Sequence, residues 1–436
     1  RCKYLDFDKE SGSAAMRKLV AGEKSDWIYD CVTCMACDEY CPTKARPFDL
    51  IMKRMEEAGN FTDPKLRADM AARFKPEGEP KPVPPAERVM SICVMQGNMP
   101  WAIQGQLFET IPLLKGKHYF CNVLFSHMGD ESILRERIQG MVDNLAKSGA
   151  KEIVFLHDDC YAALKGIAPE LGIKIPFKPI HLFEHLRDVL KEKKGSLKKL
   201  NMKVAYQRPC ASRYTPEKDP VVNEIFDLIG VTRMKRQYEG EDALCCGVEV
   251  AGPGLKLFPR GKNYEPFRVK NVEDAKASGA EAMVYLCPMC FTILNKKVRE
   301  AGMKNYMISD LCRLALGEEL PADVPPMTSV SADDLDVRLA DRRGDWVFVS
   351  LTTTTSDGYS WDAACIAELP AGSSGAPKHL SSVASGGGGL PAPAGQGFTQ
   401  GSMAEFGATS GLLGTLLGQR DEPASTTNGL VGPEVV

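Results

Sequence analysis

The sequence predicts an α/β protein made of two related α/β units, with a small helical module before them and a low-complexity tail after them. Between residues 87 and 318, short apolar runs such as 152–156 and 282–286 alternate with amphipathic stretches of helix length. The first 62 residues contain the densest cysteine cluster of the chain. After about residue 322, the sequence becomes rich in Ser, Thr, Gly and Pro.

An internal repeat supports the two related units. Residues 148–160, SGAKEIVFLHDDC, match residues 278–290, SGAEAMVYLCPMC, without a gap. Each copy reads as the end of a helix, a Ser-Gly turn, a buried strand and a loop of ligand-type residues that leads into another helix. We therefore expect two units related by a pseudo-twofold axis.

Composition divides the chain into segments with the following predicted boundaries: a cysteine-rich module at 1–62, a linker at 63–86, two α/β units at 87–200 and 201–321, and a tail at 322–436. The linker contains the run KPEGEPKPVPP, whose prolines cannot continue a helix. The tail contains the run SGGGG and shows little helical or strand periodicity, so we expect it to be mostly extended or disordered.

Length, charge and hydropathy limit the classes of protein that fit. With 436 residues, 44% of them hydrophobic, the chain can bury a large core. A net charge of -3 gives no basic field, so we expect no nucleic-acid partner. No run approaches the roughly 18 to 20 apolar residues of a membrane-spanning helix. We expect a cytoplasmic protein, either free or held at the inner face of the membrane by a partner.

The N-terminal cysteines have the spacing of an iron–sulfur site. Cys31, Cys34, Cys37 and Cys41, followed by a proline, form the run found in bacterial ferredoxins, where such thiolates bind a cubane 4Fe-4S cluster. In two-cluster ferredoxins the fourth cysteine of a run binds the other cluster. Cys41 therefore either closes a single cubane or belongs to a second one. In the second case Cys2 completes the first cubane; otherwise Cys2 is an inert thiol.

A second constellation consists of five cysteines: Cys210, the pair Cys245 and Cys246, Cys287 and Cys290. A cubane and a structural zinc ion each use four thiolates, so a fifth suggests an unusual cluster with a bridging ligand. Gly247 follows the cysteine pair and lets the backbone adopt a positive φ or approach the metal closely.

With this spacing the sequence resembles the cysteine-rich CCG domain of the heterodisulfide reductase family, over residues 1 to about 318. The resemblance implies that the five cysteines bind a non-cubane 4Fe-4S cluster and form the catalytic site. It also implies that a ferredoxin-like module precedes this domain.

The first unit departs from the pattern of that family. Its corresponding positions are Cys93, Cys121 followed by an asparagine, and His157 and Cys160 in place of a pair of cysteines. Three cysteines and a histidine suit tetrahedral zinc, with His127 as a weaker alternative ligand. The other reading is a degenerate unit that only packs.

Three functions remain open at this stage. One is a redox subunit that passes electrons between one or two cubanes and the non-cubane cluster, where a thiol or disulfide substrate reacts. Another is a relay subunit of a larger complex, like those attached to membrane quinone or cytochrome modules in anaerobic sulfate reducers or to flavin dehydrogenases. No flavin or nicotinamide fingerprint appears, so a flavoprotein or membrane quinone/cytochrome partner would supply that chemistry. The third is a zinc-dependent scaffold protein.

Overall fold

The computed structural model describes residues 2–59, 64–94, 103–247, 264–320, 346–354, 360–368 and 379–385. Its N-terminal part contains four helices: α1 (Lys9–Val20), α2 (Ala36–Tyr40), α3 (Pro47–Glu57) and α4 (Pro64–Arg73). Helix α3 starts with a proline, at a position where no backbone N–H donor is needed. Its buried residues lie on one helical face because they are spaced i, i+3, i+4 and i+7: Phe48, Ile51, Met52 and Met55.

The first α/β unit has a four-stranded parallel sheet in the order β2-β1-β3-β4. Its strands are β1 (Arg88–Cys93), β2 (Leu113–Lys115), β3 (Glu152–Phe155) and β4 (Lys178–His181). Its helices are α5 (Val123–His127), α6 (Glu131–Ala146), α7 (Asp158–Ala162) and α8 (Leu182–Glu192).

The second unit has another four-stranded parallel sheet, in the order β6-β5-β7-β8. Its strands are β5 (Met202–Gln207), β6 (Val231–Arg233), β7 (Ala282–Tyr285) and β8 (Lys304–Met307). Its helices are α9 (Asp219–Ile229), α10 (Glu265–Ala277), α11 (Pro288–Glu300) and α12 (Ile308–Ala315). The two sheets share one strand order, and the predicted α/β class is confirmed. The pseudo-twofold relation and the domain boundaries stay predictions.

The central strands are mostly buried because both faces of a parallel sheet are covered. All four residues of β7 are buried, as are the last three of β3. These are the short apolar runs that the sequence shows at 282–286 and 152–156.

Strand register brings the predicted ligand residues to one edge of each sheet. Gln207 at the end of β5 lies opposite Tyr285 at the end of β7, so the loops that carry Cys210 and Cys287 leave the sheet side by side. In open parallel sheets the carboxyl ends of the strands form the usual binding edge. The cysteines therefore lie at the edge of the sheet where open parallel sheets usually bind their ligands.

The tail contains a three-stranded antiparallel sheet, in the order β11-β10-β9, that the sequence did not predict. Its strands are β9 (Trp346–Thr354), β10 (Ser360–Glu368) and β11 (His379–Ser385). These strands form a compact unit separate from the one that contains the helical module and the two α/β units. The tail was predicted to be mostly extended or disordered; these three segments are extended, and their pairing into a sheet is what the sequence did not predict.

A buried ion-pair group joins the helical module to the second unit. The carboxylate of Glu39 in α2 accepts hydrogen bonds from Arg208 Nη1 at 2.7 Å and Arg213 Nη1 at 2.5 Å. Both arginine side chains are almost fully buried. These arginines hold the pKa of Glu39 below its usual value, although burial alone would raise it. The contact fixes the N-terminal cysteine run next to the loop of Cys210.

We expect Glu39→Gln to lower the free energy of unfolding by about 3 kcal/mol, because it removes the counter-charge of the buried Arg213, while Arg208 keeps its second carboxylate partner, Asp219. Thermal unfolding of anaerobically purified protein measures the effect. The control is Glu152→Gln, which removes the carboxylate that pairs with the more exposed Arg88 and Lys178 and should cost less than about 1 kcal/mol. Equal losses in the two variants would contradict this account of the junction.

Candidate metal-cluster sites

Five of the six cysteines of the second unit lie together at the carboxyl end of its sheet; the sixth, Cys312, lies in α12. The Cys245 thiol contacts those of Cys210 and Cys246. The Cys290 thiol contacts those of Cys246 and Cys287. Four of the five residues are buried, and Cys210 is half-buried. Cysteines from three distant parts of the chain thus form one continuous group of sulfur atoms.

Buried side chains fix the backbone of the cysteine pair. Tyr264 donates from its hydroxyl to the Cys245 carbonyl at 3.0 Å. Arg268 donates to the carbonyls of Cys246 at 3.1 Å and Gly247 at 2.6 Å. Gly247 has a φ of +73°, and its N–H donates to Cys245 Sγ at 3.3 Å. The predicted use of a positive φ at this glycine is confirmed.

The thiols of this group differ in pKa. Contact with Cys290 and the neighbouring His157 lower the pKa of Cys287 to about 6, although burial opposes the shift. Contacts with Cys210 and Cys246 lower the pKa of Cys245 well below its usual value. The pKa of Cys290 is raised by its contacts with Cys246 and Cys287 and by burial. Two positions therefore favour the thiolate form that binds metals.

Two histidines of the first unit contact this group, and sequence reasoning did not place either one there. His157 Nε2 lies 3.3 Å from Cys287 Sγ. His127 Nε2 lies 3.8 Å from Cys210 Sγ, and its Nδ1 lies 3.0 Å from the Thr33 hydroxyl. Local spacing suggested that both histidines belong to the first unit's own site. Contacts between units leave no pattern in the sequence, so sequence analysis could not find these two.

The first unit brings its three cysteines together in the protein interior. Cys160 Sγ lies 3.9 Å from Cys93 Sγ and also contacts the Cys121 thiol. Sulfur atoms bound to one tetrahedral zinc are about 3.8 Å apart, given Zn–S bonds of about 2.3 Å. His157 lies within electrostatic reach of Cys121 but makes its close contact with Cys287. The Cys3His zinc site stays a prediction; within the described ranges, no set of three or more Cys, His, Asp or Glu side chains is gathered as for a single metal ion.

A cavity of about 880 Å³ lies in the N-terminal module. Its lining includes all five cysteines predicted for cubane binding: Cys2, Cys31, Cys34, Cys37 and Cys41. Thr33 and Met35 have φ values of +50° and +61°, so the backbone curls around the run. Cys2 is held by an antiparallel bridge to Phe7 and lies within electrostatic reach of Cys34 and Cys37.

Tyr4 lies between this cavity and the five-cysteine group. Its ring lines the cavity, and its hydroxyl accepts a hydrogen bond from the Cys245 N–H at 2.9 Å. Burial raises the pKa of Tyr4 well above its usual value, with further contributions from Cys34 and Cys245. One buried side chain is thus within reach of a cysteine from each site.

The donor sets fit iron–sulfur clusters. Both groups consist of cysteine sulfur, and each has a backbone N–H that donates to a sulfur atom, Gly247 to Cys245 and Ala45 to Cys41. The cavity of the N-terminal module also leaves room for an inorganic core among its thiols. When bound, such clusters store and transfer single electrons.

Comparisons with known proteins agree with these sites. Residues 204–295, which contain all five cysteines of this group, match the family model described as a cysteine-rich CCG domain. Over 165 residues, the chain is 30% identical to one subunit of the dihydromethanophenazine:CoB–CoM heterodisulfide reductase of Methanosarcina mazei, covering 37% of this chain and 39% of that protein. It is also 25% identical to the probable iron-sulfur-binding oxidoreductase FadF of Bacillus subtilis, over 44% of this chain and 28% of that one.

A longer, weaker match is to a probable membrane-anchored ferredoxin of Chromohalobacter salexigens, 21% identical over 74% of this chain and 52% of that protein. The matches to the heterodisulfide reductases of Methanosarcina span only about two fifths of those proteins. In the described residues of this chain, none of the helices has the length and apolar character needed to span a bilayer.

Residues 204–295 therefore match a cysteine-rich CCG domain, and over part of its length the chain is similar to iron–sulfur oxidoreductase proteins. The resemblance to the heterodisulfide reductase family that the cysteine motifs predict is confirmed.

We expect Gly247→Ala to empty the five-cysteine site. A Cβ at residue 247 would lie 2.1 Å from the ring of Tyr264, which holds the Cys245 carbonyl. The iron content of anaerobically purified protein should fall by about four atoms per chain, the size of one 4Fe-4S cluster. The control is Gly240→Ala, which has a similar positive φ but no atom within 4 Å of the added Cβ. Full iron content in the Gly247 variant would contradict the role given to this glycine.

Proposed function

We propose that the chain is an iron–sulfur electron-transfer subunit of a heterodisulfide reductase-like complex. Electrons pass between a cubane 4Fe-4S site in the N-terminal module and a non-cubane 4Fe-4S site at the five contacting cysteines. The observation that carries the proposal is the position of Tyr4, which reaches from the cysteine-lined cavity to the Cys245 backbone. Two redox sites this close to one buried side chain suit direct electron exchange.

The protein's own residues hold and shield the two sites. Buried thiolates bind the metal, and the N–H of Gly247 donates to the sulfur of Cys245. Arg268 and Tyr264 bind the backbone carbonyls, so the cysteine pair cannot turn away from the site. Burial excludes water, which strengthens these electrostatic contacts.

The N-terminal cysteines divide into two roles in this proposal. Cys2 completes the cubane of Cys31, Cys34 and Cys37, because Cys2 lies within electrostatic reach of the Cys34 and Cys37 thiols. Cys41 accepts a hydrogen bond from the Ala45 N–H, lies 3.3 Å from the Thr43 hydroxyl, and is the ligand left for a second cubane. The alternative, a single cubane closed by Cys41, leaves Cys2 as a free thiol.

The substrate in this proposal is a disulfide, which takes up two electrons and two protons to become two thiols. Cys210 is the only half-buried member of the five, so an external sulfur atom would approach on its side. The second candidate is a relay subunit without disulfide chemistry, which needs a flavoprotein or a membrane quinone/cytochrome partner. The relatives in methanogens are named as subunits, which supports a multi-subunit assembly.

Cysteine-to-serine variants test the two cluster sites. We expect anaerobically purified protein to be brown, with about eight irons per chain: four in the cubane of the N-terminal module and four in the non-cubane cluster, with about four more only where a second cubane forms at Cys41. Cys290→Ser should remove about four irons and one electron paramagnetic resonance signal, and Cys37→Ser should remove the other signal. Cys312→Ser is the control, because Cys312 is buried in α12 outside both cysteine groups.

Three outcomes decide among the functions. Reduction of a small disulfide by the isolated chain with an artificial electron donor supports the catalytic role. Iron clusters without any reduction of a disulfide support the relay role. Colourless protein that contains zinc and almost no iron contradicts both and leaves the scaffold function, with zinc at Cys93, Cys121, His157 and Cys160.

A further inference from the structure

The first unit lacks the cysteine pairs of the second, yet two of its buried histidines reach the second unit's thiols. In the internal repeat, His157 occupies the position that corresponds to Cys287. Each of these residues is the N-cap of a helix after a central strand, His157 of α7 and Cys287 of α11. The two equivalent positions therefore meet, at 3.3 Å between His157 Nε2 and Cys287 Sγ.

The other ring nitrogen of His157 is oriented by a carboxylate. Nδ1 of His157 lies 3.5 Å from Asp159 Oδ2, and both side chains are largely buried. A metal-bound thiolate carries no proton and can only accept a hydrogen bond. The nitrogen that faces Cys287 must then be the donor.

His127 makes the same kind of contact with Cys210, at the other end of the chain of sulfur contacts. The Thr33 hydroxyl lies 3.0 Å from Nδ1 of His127, and Nε2 lies 3.8 Å from Cys210 Sγ. When Thr33 donates to Nδ1, the ring proton sits on Nε2 and points to the sulfur. Thr33 belongs to the N-terminal cysteine run, between Cys31 and Cys34, so this contact also joins the two sites.

We propose that His127 and His157 are positioning residues that donate N–H hydrogen bonds to the Cys210 and Cys287 thiolates of the non-cubane cluster and raise its reduction potential. Reduction adds negative charge to a cluster and its thiolates, so N–H donors stabilise the reduced state. The inference rests on the proposed function, and it assigns His157 to the second unit rather than to a zinc ion. In this proposal, histidines of the first unit stabilise the cluster that the second unit binds.

Nitrogen-15 labelling of histidine in the wild-type holoprotein tests the contact directly. Pulsed electron paramagnetic resonance of the paramagnetic non-cubane cluster should show weak nitrogen couplings, as expected through hydrogen bonds. His157→Leu should lose one of these couplings and His127→Leu should lose another, which assigns each coupling to one histidine. Strong coupling typical of a directly bound nitrogen, or no histidine coupling at all, overturns the proposal.

Redox titration separates a donor from a merely structural side chain. His157→Leu should shift the potential of the non-cubane cluster to lower values, while His157→Gln, which keeps an N–H donor, should restore most of the shift. The cubane potential in the same sample should not move. His185→Leu is the control, because His185 is buried but bonds only to the Leu107 carbonyl in the described structure.

An unchanged potential in His157→Leu, or an equal shift in His185→Leu, would overturn the donor role while leaving the clusters in place. Failure of the proposed function looks different. In that case Cys290→Ser changes neither the iron content nor any resonance signal of the protein.

Discussion

A continuous chain of contacts among five cysteine sulfur atoms, four of them from buried residues, is the constraint on which the rest of the structure depends. Buried thiolates repel one another and are costly to desolvate, so such a group is stable only with nearby positive charge and hydrogen-bond donors. The constraint is visible in the pKa values, which are lowered for Cys245 and Cys287 and raised for Cys290. In the proposed function, iron supplies the positive charge, and Gly247, His127 and His157 supply donors.

The fold meets this constraint by placing cysteine loops at the carboxyl ends of parallel strands. The Gln207 to Tyr285 register puts two of the cysteine loops next to each other, and buried Arg268 and Tyr264 hold the third. Docking through Glu39 then brings the N-terminal run into reach. The two candidate sites are therefore held together by packing between modules, not by the cysteine motifs alone.

The sequence predicted the local features of this molecule better than the contacts between its parts. The apolar runs and the repeat predicted the α/β class, and cysteine spacing predicted the family, because both are properties of short stretches of sequence. The contacts of His127 and His157 came from the meeting of two units, which no spacing encodes. The strands at Trp346–Thr354, Ser360–Glu368 and His379–Ser385 escaped prediction because Ser, Thr and Ala blur the alternation that marks a strand.

Anomalous diffraction at the iron absorption edge, from crystals grown without oxygen, tests the central claim most directly. The account predicts two separate iron clusters, one bonded to the sulfur atoms of Cys210, Cys245, Cys246, Cys287 and Cys290 and the other inside the cavity next to Tyr4. A disulfide among the five cysteines, or zinc without iron at that position, would contradict it.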